Sequence, residues 1–359
     1  MSSSRWIPFA VALVLLTAGG CASAPRAGPQ TAFFPPPPDL PRLQFLLSFS
    51  TDADIPGARR GLTRMLLGDT PLRGLVRPRG VAVHEGVIYV ADSELGTVVE
   101  IDFGEKTVDW IRDEGSGKLR SPMGVDVAAD GTLYVSDRGR RQVLAYGPGD
   151  HRFLRPYGDP ETLTPVDVLV LDDRLYVSDI RDHEIEVYDR GSGERVGSLG
   201  GEGEDPGELK YPAFLAAGPD GSIYVTDTMN FRVQKLTPEG VHLRSFGKAG
   251  DWTGSLTRPK GIAVDGEGLL HVLDAGFENA QIFLPDGTPA TVYGGFGNFA
   301  GHMYLPLDVC LDDSLLPLFR DRVDPRLRPK HLVLVTNQTG PHKLNIYAFG
   351  DPVEGASSD

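Results

Sequence analysis

Six polar side chains recur at one register of this 359-residue chain: Asp92, Asp137, Asp179, Asp227, Asp274 and Asn337. Each closes a short β-rich run, as in Tyr134-Val135-Ser136-Asp137 and Tyr224-Val225-Thr226-Asp227. Acidic groups in register could ring a cation. A carboxylate at a strand end can instead accept backbone N–H groups of the following turn, and that structural role is expected here. Three other carboxylates, Asp126, Asp167 and Asp308, fall in the run before, at a recurrent glycine position or two residues past it. Alternation along a strand could point them at a common axis, which makes them the candidates for a calcium site. No other cofactor is expected. The histidines (His84, His151, His183, His242, His271, His302, His331 and His342) share no repeat position. Three of them meeting one zinc is therefore not expected, given how tightly a zinc shell is defined. No HExxH, nucleophile elbow or glycine-rich phosphate loop occurs, so no catalytic residue is assigned.

A second constellation is cationic. Each unit opens on a proline, and the residue after it should lie nearest the axis. Those six are Arg79, Met123, Val166, Ala213, Lys260 and Leu307. They predict a channel mouth with two cations and four apolar groups, flanked by Arg77, Arg258 and Tyr211 just before three of the prolines. Such a mouth suits a small anion or an acidic peptide segment. The alternative is that the cations pair with nearby carboxylates.

The elements that position these residues are strands. First strands follow the prolines Pro78, Pro122, Pro165, Pro212, Pro259 and Pro306, and second strands end at the marker acids. Third strands are expected over 98–101, 142–146, 184–188, 232–236, 280–284 and 343–347. Fourth strands over 107–111, 152–157, 195–199, 242–246 and 290–293 serve five units. The sixth lacks one, while an unclaimed strand, Arg42–Phe49, lies at the other end of the chain. From Asp92 to Asp274 the markers repeat about every 45 residues, as four-stranded blades do. The expected fold is therefore all-β: a six-bladed propeller of four-stranded antiparallel blades, spanning residues 42–350 and closed by the N-terminal outer strand. The repeated Tyr89, Tyr134, Tyr176 and Tyr224 are expected to pack between blades. Two inserts interrupt the rhythm. Residues 51–76 suggest a helix near 58–67, and residues 312–330 suggest a surface loop rich in arginine. Turns after the first strands are acidic and those on the opposite face carry most of the arginines, so the two faces should differ in charge.

Gly (44) and Pro (29) are abundant, as many turns require, and the hydrophobic content of 40% is enough for a core. A net charge of -14 repels phosphates and argues against nucleic acid as a partner. Residues 1–20 read as a signal peptide, with an apolar stretch from Trp6 to Ala18. The run Leu16-Thr17-Ala18-Gly19-Gly20-Cys21 resembles the bacterial lipoprotein cleavage motif, with Ala18 where leucine is usual. Cleavage would leave Cys21 as a lipidated N-terminus, which implies a lipid anchor and an outer-membrane address facing the periplasm or the cell surface. Residues 21–41 read as a Pro- and Ala-rich tether, and 351–359 as a polar tail. Nothing later is long and apolar enough to span a membrane.

The order of Gly-rich turn, proline, apolar strand, Asp-Gly turn, IYVTD strand and RVQ strand, most complete over Gly200–Leu236, resembles the NHL-repeat family of β-propellers. That resemblance covers about residues 42–349 and implies the fold strongly and an activity weakly. Similar propellers include zinc-dependent lyases and calcium-dependent lactonases or esterases. The leading expectation is a lipid-anchored scaffold that binds an envelope protein through its basic mouth. A metal-dependent lyase or lactonase is one alternative. A cell-wall or glycan-binding module is another, with Phe231, Phe277, Trp252 and Tyr304 as its aromatics.

Overall fold

The structure, a computed structural model, describes residues 31–56, 73–111, 115–297 and 299–353. All described strands belong to one compact unit, Thr31–Asp359. They form six antiparallel sheets, five of four strands and one of five. Blade 1 is Pro78–His84, Val87–Asp92, Thr97–Asp102 and Thr107–Trp110. Blade 2 is Pro122–Val127, Leu133–Asp137, Gln142–Tyr146 and Phe153–Tyr157. Blade 3 is Pro165–Leu171, Arg174–Asp179, Glu184–Asp189 and Arg195–Gly200. Blade 4 is Pro212–Ala217, Ile223–Asp227, Arg232–Leu236 and His242–Phe246. Blade 5 is Pro259–Val264, Leu270–Asp274, Asn279–Phe283 and Pro289–Gly294.

Blade 6 closes the ring. Its order from the axis outward is Pro306–Asp312, Leu327–Asn337, Leu344–Pro352, Leu43–Phe49 and Phe33–Phe34. The N-terminal strand pairs antiparallel with the C-terminal one, from Leu43 opposite Phe349 to Phe49 opposite Leu344. The protein is thus a six-bladed propeller, as the repeats require.

Burial follows position in the blade. Second strands are enclosed between neighbouring sheets and are buried on both sides, as in Leu133–Asp137. Outer strands face water, as in Arg195–Gly200, where only Leu199 is buried. The repeated tyrosines Tyr89, Tyr134, Tyr176 and Tyr224 are all buried in the apolar clusters between blades. Every first strand breaks register between its proline and the third residue after it. That bulge frees backbone groups on the channel side of the strand.

Two expected boundaries shift, and one insert proves to be structured. The tether does not run freely to residue 41: Phe33–Phe34 adds to the edge of Leu43–Phe49, and Phe34 packs edge-on against Tyr347. The C-terminal strand continues to Pro352, its end paired with Leu327. The insert at 312–330 is anchored rather than loose. It contains a short helix, Leu316–Phe319, and Leu315, Phe319 and Leu327 are buried in a cluster with Phe49 and Phe103. The helix expected near 58–67 and Cys21 lie outside the described residues. No helix among the described residues is long and apolar enough to cross a membrane.

Candidate functional site

The marker acids are structural. Asp92 accepts the N–H groups of Val76 and Arg77 before the blade and those of Glu94 and Leu95 after the strand. Asp274 does the same for Thr257, Arg258, Gly276 and Phe277. Asp227 also takes Arg232 Nε at 2.7 Å. Each of the five marker acids ties the turn after its strand to the link that enters the blade, while Asn337 Oδ1 accepts Tyr304 N–H of the link. These bonds occupy most of the acceptor capacity that a metal ring would need, with Asp179 Oδ2 left unbonded.

In four blades the residue before the marker staples its blade to the next, whereas blades 1 and 5 have Ala91 and Leu273 there. Ser136 Oγ donates to the Val166 carbonyl, Ser178 to Ala213, Thr226 to Lys260, and Thr336 to Arg79 across the closing seam. Sequence reasoning overlooked this role, although the runs Ser-Asp, Thr-Asp and Thr-Asn were visible at every stapled position.

Asp126, Asp167 and Asp308 do meet on one channel, a cavity of about 210 Å³ whose lining reaches Val83, Ala217, Val264 and Leu311 at the ends of the first strands. Each carboxylate forks between two blades. Asp126 accepts Val127 N–H of its own strand at 2.8 Å and Val170 N–H of blade 3 at 2.7 Å. Asp308 accepts Val309 N–H and, from blade 1, Val81 N–H, both at 2.9 Å. Asp167 accepts Leu215 N–H of blade 4 at 2.9 Å, with Val168 N–H on its own strand. Glycines in the preceding blades make room. A Cβ on Gly261 would come within 2.5 Å of Asp308 Cα, and one on Gly124 within 2.8 Å of Asp167 Cα.

Burial pushes these acids toward the neutral form against the pull of their N–H donors. Asp126 rises to about 6 and Asp308 to about 7, the latter also raised by Asp126. Asp167 is held well above the ordinary range by burial and by the charge of Asp308. Cys310 lines the same cavity at the register of Asp126, with its thiol pushed up by burial. Both oxygens of Asp126 and of Asp308 already accept backbone N–H groups. Among the described residues no three acidic, histidine or cysteine side chains converge on a common point. His271 and His331 form the one close histidine pair among the described residues, with ring centroids 6.0 Å apart. Burial takes His271 down to about 3, which keeps it neutral.

The other end of the channel carries the cations. Val166, Ala213, Phe214 and Leu307, from blades 3, 4 and 6, lie buried in one apolar cluster. Arg79 Nε donates to Ser93 Oγ at 3.0 Å and Nη1 to Gln338 Oε1 at 2.7 Å. Burial first, then Arg77, lowers its pKa. Lys260 is depressed to about 8, by burial first, then by Arg258, with Arg79 adding to it. No described residue hydrogen-bonds or ion-pairs with the Lys260 ammonium. The flanking candidates behave differently. Arg77 faces Glu94 at 3.7 Å with both side chains half exposed, and Arg258 is exposed. Tyr211 packs against the apolar cluster, and its backbone N–H donates to His183 Nδ1. Of the aromatics, Phe231 and Trp252 are exposed, whereas Phe277 and Tyr304 are half buried.

Residues 209–236 match the NHL repeat family. The fold is similar to that of a Bacteroides thetaiotaomicron protein of unknown function, at 19% identity and TM-score 0.57, covering 76% of this chain and 70% of that one. A gluconolactonase from Xanthomonas campestris is similar at 18% identity and TM-score 0.54, over 85% and 98% of the two chains. A virginiamycin B lyase from Staphylococcus aureus is similar at 13% identity and TM-score 0.51, over 79% and 86%. At these identities the likeness concerns the propeller alone. The chain is a six-bladed β-propeller that carries an NHL repeat at residues 209–236.

Proposed function

We propose that this protein is a lipid-anchored propeller of the cell envelope that holds a partner protein through the basic mouth of its channel. The observation that carries the reading is Lys260. Its amine is largely buried, has no hydrogen-bond or ion-pair partner among the described residues, and is depressed to about 8 by burial first and then by Arg258, with Asp274 opposing and Arg79 adding to it. Asp274 offsets only part of the repulsion among these cations, and a further anion would offset more. A carboxylate or phosphate on a partner segment would relieve that repulsion and use the guanidinium edge of Arg79 that Ser93 and Gln338 leave open. The apolar floor of Val166, Ala213 and Leu307 would cover the non-ionic part of the same segment. The signal-like start and Cys21 support the envelope address. The test is affinity capture from membranes with the wild-type chain and with Arg79→Glu/Lys260→Glu. Partners held by the mouth are lost from the variant, and equal recovery of every partner rejects the reading.

A second reading, catalysis in the acid-lined cavity, is favoured by one observation. Asp126 and Asp308 have pKa values of about 6 and 7, in the range useful to a general acid or base. Solved propellers named as a lyase and a gluconolactonase share the fold. Hydrolysis of a lactone panel by the wild type and not by Asp308→Asn would establish this reading in place of the first.

A further inference from the structure

The link from blade 5 to blade 6 differs from its counterparts. The link from blade 3 to blade 4 carries Glu202, Glu204, Asp205 and Glu208, whereas from Gly294 to Tyr304 no residue is Asp, Glu, Lys or Arg. In a chain of net charge -14 that is an uncharged gap. Two phenylalanines stand out of it, Phe296 at 79% and Phe299 at 70% exposure, the two most exposed large hydrophobic side chains among the described residues. The base of the loop is pinned. Tyr347 Oη donates to the Gly301 carbonyl at 2.7 Å, and Asn345 Nδ2 donates to the His302 carbonyl at 2.9 Å. A loop fastened at its root, with two aromatic rings in water, is unfavourable unless something covers the rings.

The same loop lies where the described chain begins. Ala300 shares an apolar cluster with Ala32 and Phe34. A Cβ on Gly301 would meet Phe34 Cε2 at 3.2 Å. Thr31 is ten residues past Cys21 (31 minus 21), and ten extended residues reach at most about 35 Å. Anything that holds the start of the chain at a bilayer therefore keeps this loop near the lipid surface. The loop follows an outer strand and so belongs to the rim. Contact there would stand the disc on edge and leave both channel ends open.

We propose that Phe296 and Phe299 insert into the interfacial region of a lipid bilayer and orient the propeller beside its N-terminal attachment. The contact is apolar: no charge on the loop must be desolvated, and none is available to recognise a headgroup. The choice of a bilayer rests on the proposed attachment at Cys21, and the contact itself on the exposed rings, which the chain without Cys21 tests separately.

The test uses the Thr31–Asp359 unit, which contains every strand of the ring, with phosphatidylcholine vesicles. Flotation with the vesicles is expected for the wild type, little changed by added salt. It should fall about tenfold for each ring removed in Phe296→Ser and Phe299→Ser. Phe296→Trp should fluoresce with quenching by lipids brominated on the acyl chains. Equal flotation of the double serine variant overturns the proposal, as does a tryptophan that bromolipids do not quench. A wild-type unit that is dimeric without lipid, and becomes monomeric in the double serine variant, overturns it too by assigning the rings to a second copy.

Discussion

The Asp308 carboxylate of blade 6 accepts the backbone N–H of Val81 in blade 1 at 2.9 Å, across the seam where the ring closes. Thr336 of blade 6 reaches the Arg79 carbonyl at the same seam. A carboxyl group deep in a protein is usually sought for chemistry. Here it also completes the backbone hydrogen bonding that a bulged inner strand leaves open.

Asp308→Ala should destabilise the fold by about 1–3 kcal/mol, because it strands the Val81 N–H in a buried place. Asp308→Asn keeps an acceptor oxygen and should lose less. The pH dependence has a definite sign. Asp308 and Asp126 have folded-state pKa values of about 7 and about 6, above the unfolded value of about 3.9. The folded state therefore holds more protons in that window. The contribution of these groups is fully present below about pH 4 and is lost as pH rises through about 6 to 7. Urea denaturation of the wild type between about pH 5 and 8 should show this downward slope, and Asp308→Asn should flatten it. An unchanged slope in the variant would mean that Asp308 titrates like a surface carboxylate.

The amine of Lys260 gives the second prediction. Reductive methylation with a labelled carbon, followed by NMR titration, should find one lysine with a pKa of about 8. Lys260→Arg should remove that resonance. Arg79→Met should move it upward, because Arg79 is one of the charges that depress it. Binding of an anionic partner at the mouth should then weaken as pH rises through about 8, where Lys260 loses its charge. A resonance that stays put in Arg79→Met would separate the two cations and remove the basis for a joint anion site.

The ring was legible because each blade repeats local signals that need no long-range information. A proline opens the first strand, a polar residue ends the second, and glycines such as Gly131 and Gly221 take the positive-φ turn positions. The donated strand was legible by counting, since one unit lacked an outer strand and Arg42–Phe49 had no other partner. The candidate acids were found for a weaker reason. Alternation placed Asp126, Asp167 and Asp308 on the channel, but not their forked bonds to the next blade. Those bonds depend on how neighbouring first strands sit against each other, and a single repeat holds no trace of that offset. Phe33–Phe34 was hidden by the prolines that follow it, which read as a spacer, while its pairing depends on an edge at Leu43–Gln44 present only after closure. Phe296 and Phe299 stood in a run without charge, from Gly294 to Tyr304, but that run does not say whether their rings turn inward or out.

Closure also yields the last prediction. Leu43–Phe49 supplies Leu43, Phe45, Leu46, Leu47 and Phe49 to the core, all buried. The strand covers Tyr347, which packs edge-on with Phe45. A chain starting at Thr31 retains this strand and should unfold cooperatively. A chain starting after Phe49 leaves the Leu344–Pro352 edge unpaired and exposes the apolar faces of blades 5 and 6. Several side chains are removed at once, each worth about 1.5–3 kcal/mol when buried, against a total stability of about 5–15 kcal/mol. The shorter chain should therefore not hold a native ring. Near-UV circular dichroism and a melting curve distinguish the two chains. Because the donated strand is a separate piece of sequence, a synthetic peptide covering Arg42–Ser50 offers a rescue: supplied in excess, it should restore the transition. A truncated chain that melts like the longer one would show that the C-terminal strand closes the ring unaided.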